Sequence, residues 1–208
     1  MLSDFQHIQV PAFSGDIKAD VKALLCANHR EDTYDHALAV AEMSVKIARQ
    51  YQLDASLCEL GGFLHDISAV IKPADMLEYA QNHHWQVFEA EVKYPFLLHQ
   101  RMSKTIAHND LRVTDQSVLS AIQYHSTLKI NPSPYDMALF IADKLAWDQG
   151  GAPPFFSIVN EGLKLSLEAA SLAYMDYIVE HEMIIFPHQW FSEGRDYLRG
   201  KLSGDRHS

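Results

Sequence analysis

Histidine stands out in this chain, with 12 among 208 residues. Imidazole and carboxylate side chains hold first-row metal ions without any thiolate. What matters is whether His and Asp recur at positions that point to one place. His36, Val40, Met43 and Ile47 fall at steps of four, three and four, which puts His36 on the apolar stripe of a helix. His65-Asp66 closes a segment that runs Gly61-Gly62-Phe63-Leu64. His99 shares a helical face with Met102 and Ile106, His125 with Val118 and Ile122, and Asp143 with Phe140 and Trp147. Each of these six residues therefore lies on the inward side, or at the end, of a helix. A lone inward histidine is most simply a core residue with its hydrogen bonds satisfied. Six such residues meeting by accident is a weaker account. Buried carboxylates cost heavily unless paired or bound to metal, and one metal cluster satisfies all six.

The elements that must carry these residues are helical throughout. Apolar positions recur at three- and four-residue steps from Tyr34 to Tyr51, from Leu57 to Leu64, from Leu97 to Ile106, from Val118 to Ile122 and from Met137 to Leu145. Asp54 and Thr114 are placed to cap the second and fourth of these. No stretch alternates apolar and polar residues between turn signals, so no strand is predicted. Gly61-Gly62 inside a helix costs about 1 kcal/mol per glycine relative to alanine, which is tolerated where another element must approach the backbone closely. The Gly150–Pro154 stretch is the best internal boundary. The expectation is an all-α helical bundle over residues 1–150, followed by a helical extension over 151–208 packed on the same core. In that extension, residues 155–182 read as one long helix or two, 192–202 as a short last helix, and 203–208 as a frayed tail.

Charge and composition narrow the function. The chain has 17 Lys+Arg against 27 Asp+Glu, a formal net charge of −10. That argues against a protein that coats duplex nucleic acid through phosphate neutralisation. It leaves room for a small phosphorylated ligand held by local cations or metal. Cys26 and Cys58 are too few for a disulfide scaffold and read as small buried hydrophobes in a reduced, cytoplasmic setting. No apolar run approaches the roughly 18 residues of a spanning helix, so no membrane partner is expected. His7, His29, His181 and His188 have no partner at ligand spacing, His83-His84 reads as an exposed helix end, and His207 lies in the tail. Tyr174, Tyr177, Phe186, Trp190 and Phe191 read as core packing of the extension, with a homodimer face or a base-stacking wall as the sharper alternatives.

The ordered set His36, His65-Asp66, His99, His125 and Asp143 resembles the dinuclear branch of the HD superfamily of metal-dependent phosphohydrolases. The flanks Tyr34-Asp35-His36, Phe63-Leu64-His65-Asp66, Leu97-Leu98-His99, Ala121-Ile122-Gln123-Tyr124-His125-Ser126-Thr127 and Phe140-Ile141-Ala142-Asp143-Lys144 look like those of its YqeK-like members. The resemblance implies an all-helical HD domain with two metal ions, commonly iron, with manganese, cobalt or magnesium as alternatives. It implies symmetrical cleavage of diadenosine tetraphosphate to two ADP. By carry-over, His36, His65, Asp66 and Asp143 would hold one ion, and His99 and His125 the second, with Asp66 bridging. His65 and Asp66 would be the catalytic pair, acting through a hydroxide shared by two ions and acidified without a protein base. The sequence departs from the family pattern twice: Ala69 stands where many HD hydrolases carry Lys, and Asp148-Gln149-Gly150-Gly151 stands where a Pro-Gly-Arg turn is common. Lys72, Arg101, Lys104, Lys129 and Lys144 are the substitute cations, and Arg101, Lys129 and Thr127 the preferred substrate contacts. A nucleotide phosphomonoesterase and a non-catalytic, metal-stabilised nucleotide sensor are the alternatives.

Overall fold

A computed structural model describes residues 1–147, 150–184 and 186–204. It contains eleven α-helices among the described residues: α1 (Ile17–Ala27), α2 (Glu31–Tyr51), α3 (Ala55–Leu64), α4 (Pro73–Asn82), α5 (Glu89–Lys93), α6 (His99–Asn109), α7 (Gln116–Tyr124), α8 (Pro134–Leu145), α9 (Phe156–Leu163), α10 (Leu167–Glu180) and α11 (Gln189–Gly204). Short 3-10 turns at Ile67–Val70 and Pro95–Leu98 lead into the positions of interest. No strand occurs among the described residues, and no helix among them is long and apolar enough to cross a membrane.

Local chemistry explains most boundaries. Asp54 caps α3 by accepting the amides of Ser56 and Leu57 at 2.9 and 3.3 Å. At α7 the cap is Asp115, not Thr114: its carboxylate accepts Ser117 and Val118 amides at 2.9 and 3.1 Å. A carboxylate satisfies two orphan amides at once and suits the positive end of the helix dipole, so the helix starts one residue later. α8 opens with a capping box, the Ser133 hydroxyl accepting the Asp136 amide and the Asp136 carboxylate accepting the Ser133 amide, with Pro134 at the first helical position. Residues 155–182 form two helices. The chain breaks after Leu163, and Ser166 caps α10 by accepting the Ala169 amide. The final helix is longer than 192–202, starting at Gln189 and including Ser203 and Gly204; residues 205–208, and with them His207, lie outside the described residues, as do Asp148 and Gln149 of the departing turn.

One hydrophobic cluster spans both sides of the Gly150–Pro154 stretch, from Leu24 and Val40 through Phe140 to Phe155, Met175 and Leu198. α2 and α3 pack so closely that a Cβ built on Gly62 would lie 2.5 Å from the Cα of Ala41. Gly61 has no such constraint, its built Cβ meeting the Leu139 side chain at 3.4 Å. Of the two glycines, Gly62 is the one that the approach of α2 requires.

Candidate metal centre

Six side chains converge where the C-terminal ends of α3 and α7, the start of α6, and the inward faces of α2 and α8 meet. His36 Nε2 lies 3.1 Å from Asp143 Oδ1, and His65 Nε2 lies 3.4 Å from Asp66 Oδ2 and 3.6 Å from Asp143 Oδ1. On the other side of Asp66, its Oδ1 stands 3.5 Å from His99 Nε2 and 3.4 Å from His125 Nε2. Two groups thus have ligand atoms close enough to grip one ion each, His36-His65-Asp66 and Asp66-His99-His125, and they share Asp66.

Three histidines are oriented by the same local device. The Nδ1 of His65, His99 and His125 bonds the carbonyl three residues earlier: Gly62 at 2.8 Å, Phe96 at 2.6 Å and Ile122 at 2.8 Å. A carbonyl only accepts, so Nδ1 carries the proton in each ring and Nε2 is left with a lone pair aimed inward. This fixes the tautomer that metal ligation requires. A consequence is that His99 Nε2 and His125 Nε2 face each other as two acceptors at 3.0 Å, with the Ser126 hydroxyl donating to His99 Nε2 at 3.1 Å. Two lone pairs at that distance repel unless a cation stands between or beside them. Buried Nε2 of His65, Oδ1 of Asp66 and Nδ1 of His36 have no hydrogen-bond partner among the described residues. Orphaned acceptors around a shared carboxylate are what a pair of metal ions would satisfy, so the donor set fits.

The electrostatics agree. Burial pushes the His125 imidazole toward its neutral form, and the carboxylate of Asp66 only partly offsets it. Burial opposes ionisation of Asp66 and Asp143 as well. For Asp66 the histidines win, and for Asp143 the Lys144 ammonium and His36 do; both carboxyls sit well below the usual range. His65 is the exception, held toward its cationic form by Asp66 and Asp143 against burial, a pull that a bound cation would take over.

Neighbouring polar groups hold the ligands in place. The Ser68 hydroxyl donates to the His99 carbonyl at 2.8 Å and accepts from the Ser103 hydroxyl at 2.9 Å, tying the segment after Asp66 to α6. The buried Gln100 carbonyl oxygen accepts from the Ser126 amide and the Thr127 hydroxyl at 3.3 Å each. Neither serine nor Gln100 is legible from the pattern; small buried hydroxyls and amides leave no periodic mark. The Lys144 ammonium pairs with Asp143 and reaches the His125 carbonyl at 3.4 Å. At Ala69 the carbonyl accepts from Arg30 Nε at 2.9 Å.

A cavity of about 790 Å³ opens over this centre. His36, Asp66, Asp143 and Lys144 form its floor, with Ser126 and Thr127 beside them; Trp147, Phe155, Tyr174, Phe186 and Phe191 are among its walls. The aromatic C-terminal stretch therefore serves both core and cavity. His188 also lines the cavity, although it stands far from any ligand in sequence. It is 2% exposed, accepts the Trp190 amide at Nδ1, and turns Nε2 to within 3.6 Å of the fully buried Glu91. Arg101 and Lys129 do not face the cavity. Arg101 pairs with Glu91 at 2.9 Å and lies over the Trp85 ring at 4.6 Å. Lys129 pairs with Asp136 at 3.2 Å and the Ser120 hydroxyl at 2.7 Å. Of the proposed substrate contacts, Thr127 alone reaches it.

Inward-facing histidines and aspartates, a helical bundle and an open cavity above them define a hydrolase fold built around a candidate metal centre. The chain belongs to the HD domain family, which matches residues 33–148. It is an HD-superfamily phosphohydrolase, similar to the YqeK-like members. It is 33% identical over 144 residues to an uncharacterised protein of Lactococcus lactis subsp. cremoris, covering 69% of this chain and 73% of that one. It is 31% identical over 114 residues to the symmetrical bis(5'-nucleosyl)-tetraphosphatase of Staphylococcus aureus, covering 54% of this chain and 58% of that protein. A crystal structure of a predicted HD superfamily hydrolase involved in NAD metabolism from Clostridium acetobutylicum superposes with a TM-score of 0.80 at 24% identity, covering 92% of this chain and all of that one; that likeness bears on the fold.

Proposed function

We propose that the protein hydrolyses a nucleotide phosphoanhydride, cleaving diadenosine tetraphosphate symmetrically to two ADP at a two-metal centre. The single observation that carries this reading is the pair of ligand groups sharing Asp66 beneath an open cavity. The relatives from S. aureus, Halalkalibacterium halodurans and Bacillus subtilis, all named symmetrical tetraphosphatases, support the substrate. His36, His65, Asp66 and Asp143 would hold one ion and His99 and His125 the other, with Asp66 between them; the nitrogen and oxygen donors suit iron, manganese or cobalt. Bound there, the ions would supply Lewis acidity at phosphorus and acidify water near neutral pH.

The chain's own residues do the rest. Asp66 and Asp143 stay ionised, and His125 stays neutral, so the centre is ready for cations without proton loss at those sites. Lys144, held charged against burial by Asp143, offsets negative charge at the cavity floor. The Ser126 hydroxyl, 3.1 Å from His99 Nε2, would be released to phosphoryl oxygens when that nitrogen holds metal, whereas the Thr127 hydroxyl is engaged by the Gln100 and Leu128 carbonyls. Tyr174, Phe155 and Trp147 give an adenine ring flat surfaces and exclude water. A cytoplasmic setting goes with this reading, since Cys26 and Cys58 are free thiols.

One observation favours a second reading, a nucleotide phosphomonoesterase. Lys144 is the one Lys or Arg among the described residues lining the cavity, and it is already paired with Asp143, which is sparse for a chain of four phosphates. Metal-loaded protein incubated with diadenosine tetraphosphate and with nucleoside monophosphates separates the two. ADP as sole product supports the first, free phosphate the second, and turnover of neither by a folded, metal-replete sample would remove both.

A further inference from the structure

Arg101 and Lys104 are cations that the sequence offers for phosphate, and both face away from the metal centre. A helix turns about 100° per residue, which sets Lys104 and His108 roughly 140–180° around α6 from His99. That far face is one wall of a second cleft of about 430 Å³, completed by Tyr79, Trp85 and Gln123. No carboxylate lines this cleft among the described residues, in a chain whose net charge is −10. Lys104 has no ion pair among the described residues. Arg101 is fixed in the cleft wall before any ligand arrives: it is 14% exposed, its Nη1 bonds the buried Glu91 carboxylate at 2.9 Å and the Gln86 carbonyl at 2.8 Å, and its guanidinium lies on Trp85. No hydrogen bond from its Nε or Nη2 occurs among the described residues, so donors remain on a guanidinium that loses no freedom on binding.

We propose that this cleft is a second binding site, on the opposite side of α6 from the metal centre, for a small phosphorylated anion of nucleotide size. Lys104 supplies a compact unpaired charge and Arg101 a planar set of N–H donors, the combination that selects phosphoryl oxygens. The Asn109 and Gln123 amides add neutral donors at the rim. The volume is larger than one phosphate needs and falls within the roughly 300–1,000 Å³ of small-ligand sites, with Tyr79 and Trp85 as the apolar side.

Equilibrium dialysis of the full metal-loaded chain, with the methylene-bridged analogue of ADP and with inorganic phosphate as probes, counts bound molecules per chain. Lys104→Glu and, separately, His108→Glu both change exposed or half-exposed residues, so circular dichroism should match the unaltered protein. Each is expected to remove one bound molecule per chain, or to weaken it at least tenfold, with metal content unchanged. Tighter binding of the ADP analogue than of phosphate would assign the aromatic side to the base; equal binding would assign the site to the phosphoryl group, and either upholds it. The same stoichiometry and affinity in both variants as in the unaltered chain would overturn the proposal.

Discussion

Replacing Gly62 by alanine tests how the bundle brings His36 and His65 together. Helix propensity alone predicts stabilisation by about 1 kcal/mol, because alanine is the better helix former. The structure predicts the reverse. The new Cβ would lie 2.5 Å from the Cα and 2.7 Å from the amide nitrogen of Ala41, about 0.9 and 0.7 Å short of the 3.4 Å at which ordinary contact begins. Both obstructing atoms are backbone, so no rotamer change relieves them, and α2 and α3 must move apart. Overpacking of this kind costs about 1–3 kcal/mol or more, which outweighs the propensity gain at the upper part of that range. For a chain of this length each kcal/mol moves Tm by about 2–4 °C, so a net loss of about 2 kcal/mol lowers it by about 4–8 °C. The separation also acts on chemistry, since His36 rides on α2 and His65 closes α3, their rings 5.2 Å apart; the variant should retain less metal after gel filtration. Gly61→Ala is the matched control. Its Cβ would meet one flexible side chain at 3.4 Å, so it should melt at or above the unaltered protein and keep its metal. Calorimetry and elemental analysis on both decide the matter, and a Gly62→Ala protein as stable and as metal-rich as Gly61→Ala would refute the packing argument.

Three further outcomes follow from the same geometry. Chelation should lower Tm steeply: a ligand present at 1,000 times its Kd stabilises by about 4 kcal/mol per site, or about 8–16 °C on the scale above, and an unchanged melt would count against a structural role for metal. His125→Ala removes one of the two ligand groups while leaving His36 and His65 in place, so elemental analysis should fall from two ions per chain to one. Glu91→Gln leaves Arg101 without its carboxylate in a site where Glu91 is fully buried and should cost about 3 kcal/mol at pH 7. Burial raises the Glu91 pKa, but His188, the Phe88 amide and Arg101 outweigh it and lower it below its ordinary 4.5. A depressed folded value means that the contribution is present above the unfolded pKa and disappears as pH falls through the folded one. The gap between the two proteins in Tm should therefore be full at pH 6 and shrink as pH falls below 4.5; a gap that does not change with pH would show that the loss is not electrostatic.

How much of this was legible in the sequence depends on what each signal measures. Periodicity reports burial, so the helices carrying His36, His99 and Asp143 and the convergence of the six residues could be read directly. Distance along the chain is a poorer guide to facing. Arg101 is two residues from His99, but two residues along α6 is a turn of about 200°, and the side chain emerges behind the centre on Trp85 and Glu91. Lys129 is four residues from His125, which would place it on the same face if the helix continued. α7 ends at Tyr124, and Leu128 takes a left-handed φ of 57°, so the chain has already turned away. Glu91 and His188 were out of reach for another reason. They meet across 97 positions of sequence, and nothing local to either segment marks the encounter.

The recurrence of one turn at three ligands has a physical cause. The last carbonyls of a helix lack intrahelical partners, and a histidine placed there can satisfy the one three residues back with its own Nδ1–H. His65 and His125 do this at the C-terminal ends of α3 and α7, and His99 does it where the Pro95–Leu98 turn passes into α6. In each case the imidazole hydrogen bond selects the tautomer and aims Nε2 at Asp66; at Phe96 the carbonyl also accepts the His99 amide. The ligand geometry is thereby built from local structure, and the bundle has only to bring the helix ends together. Gly62 joins the two levels: its carbonyl orients His65, and its missing side chain lets α2 deliver His36 beside it.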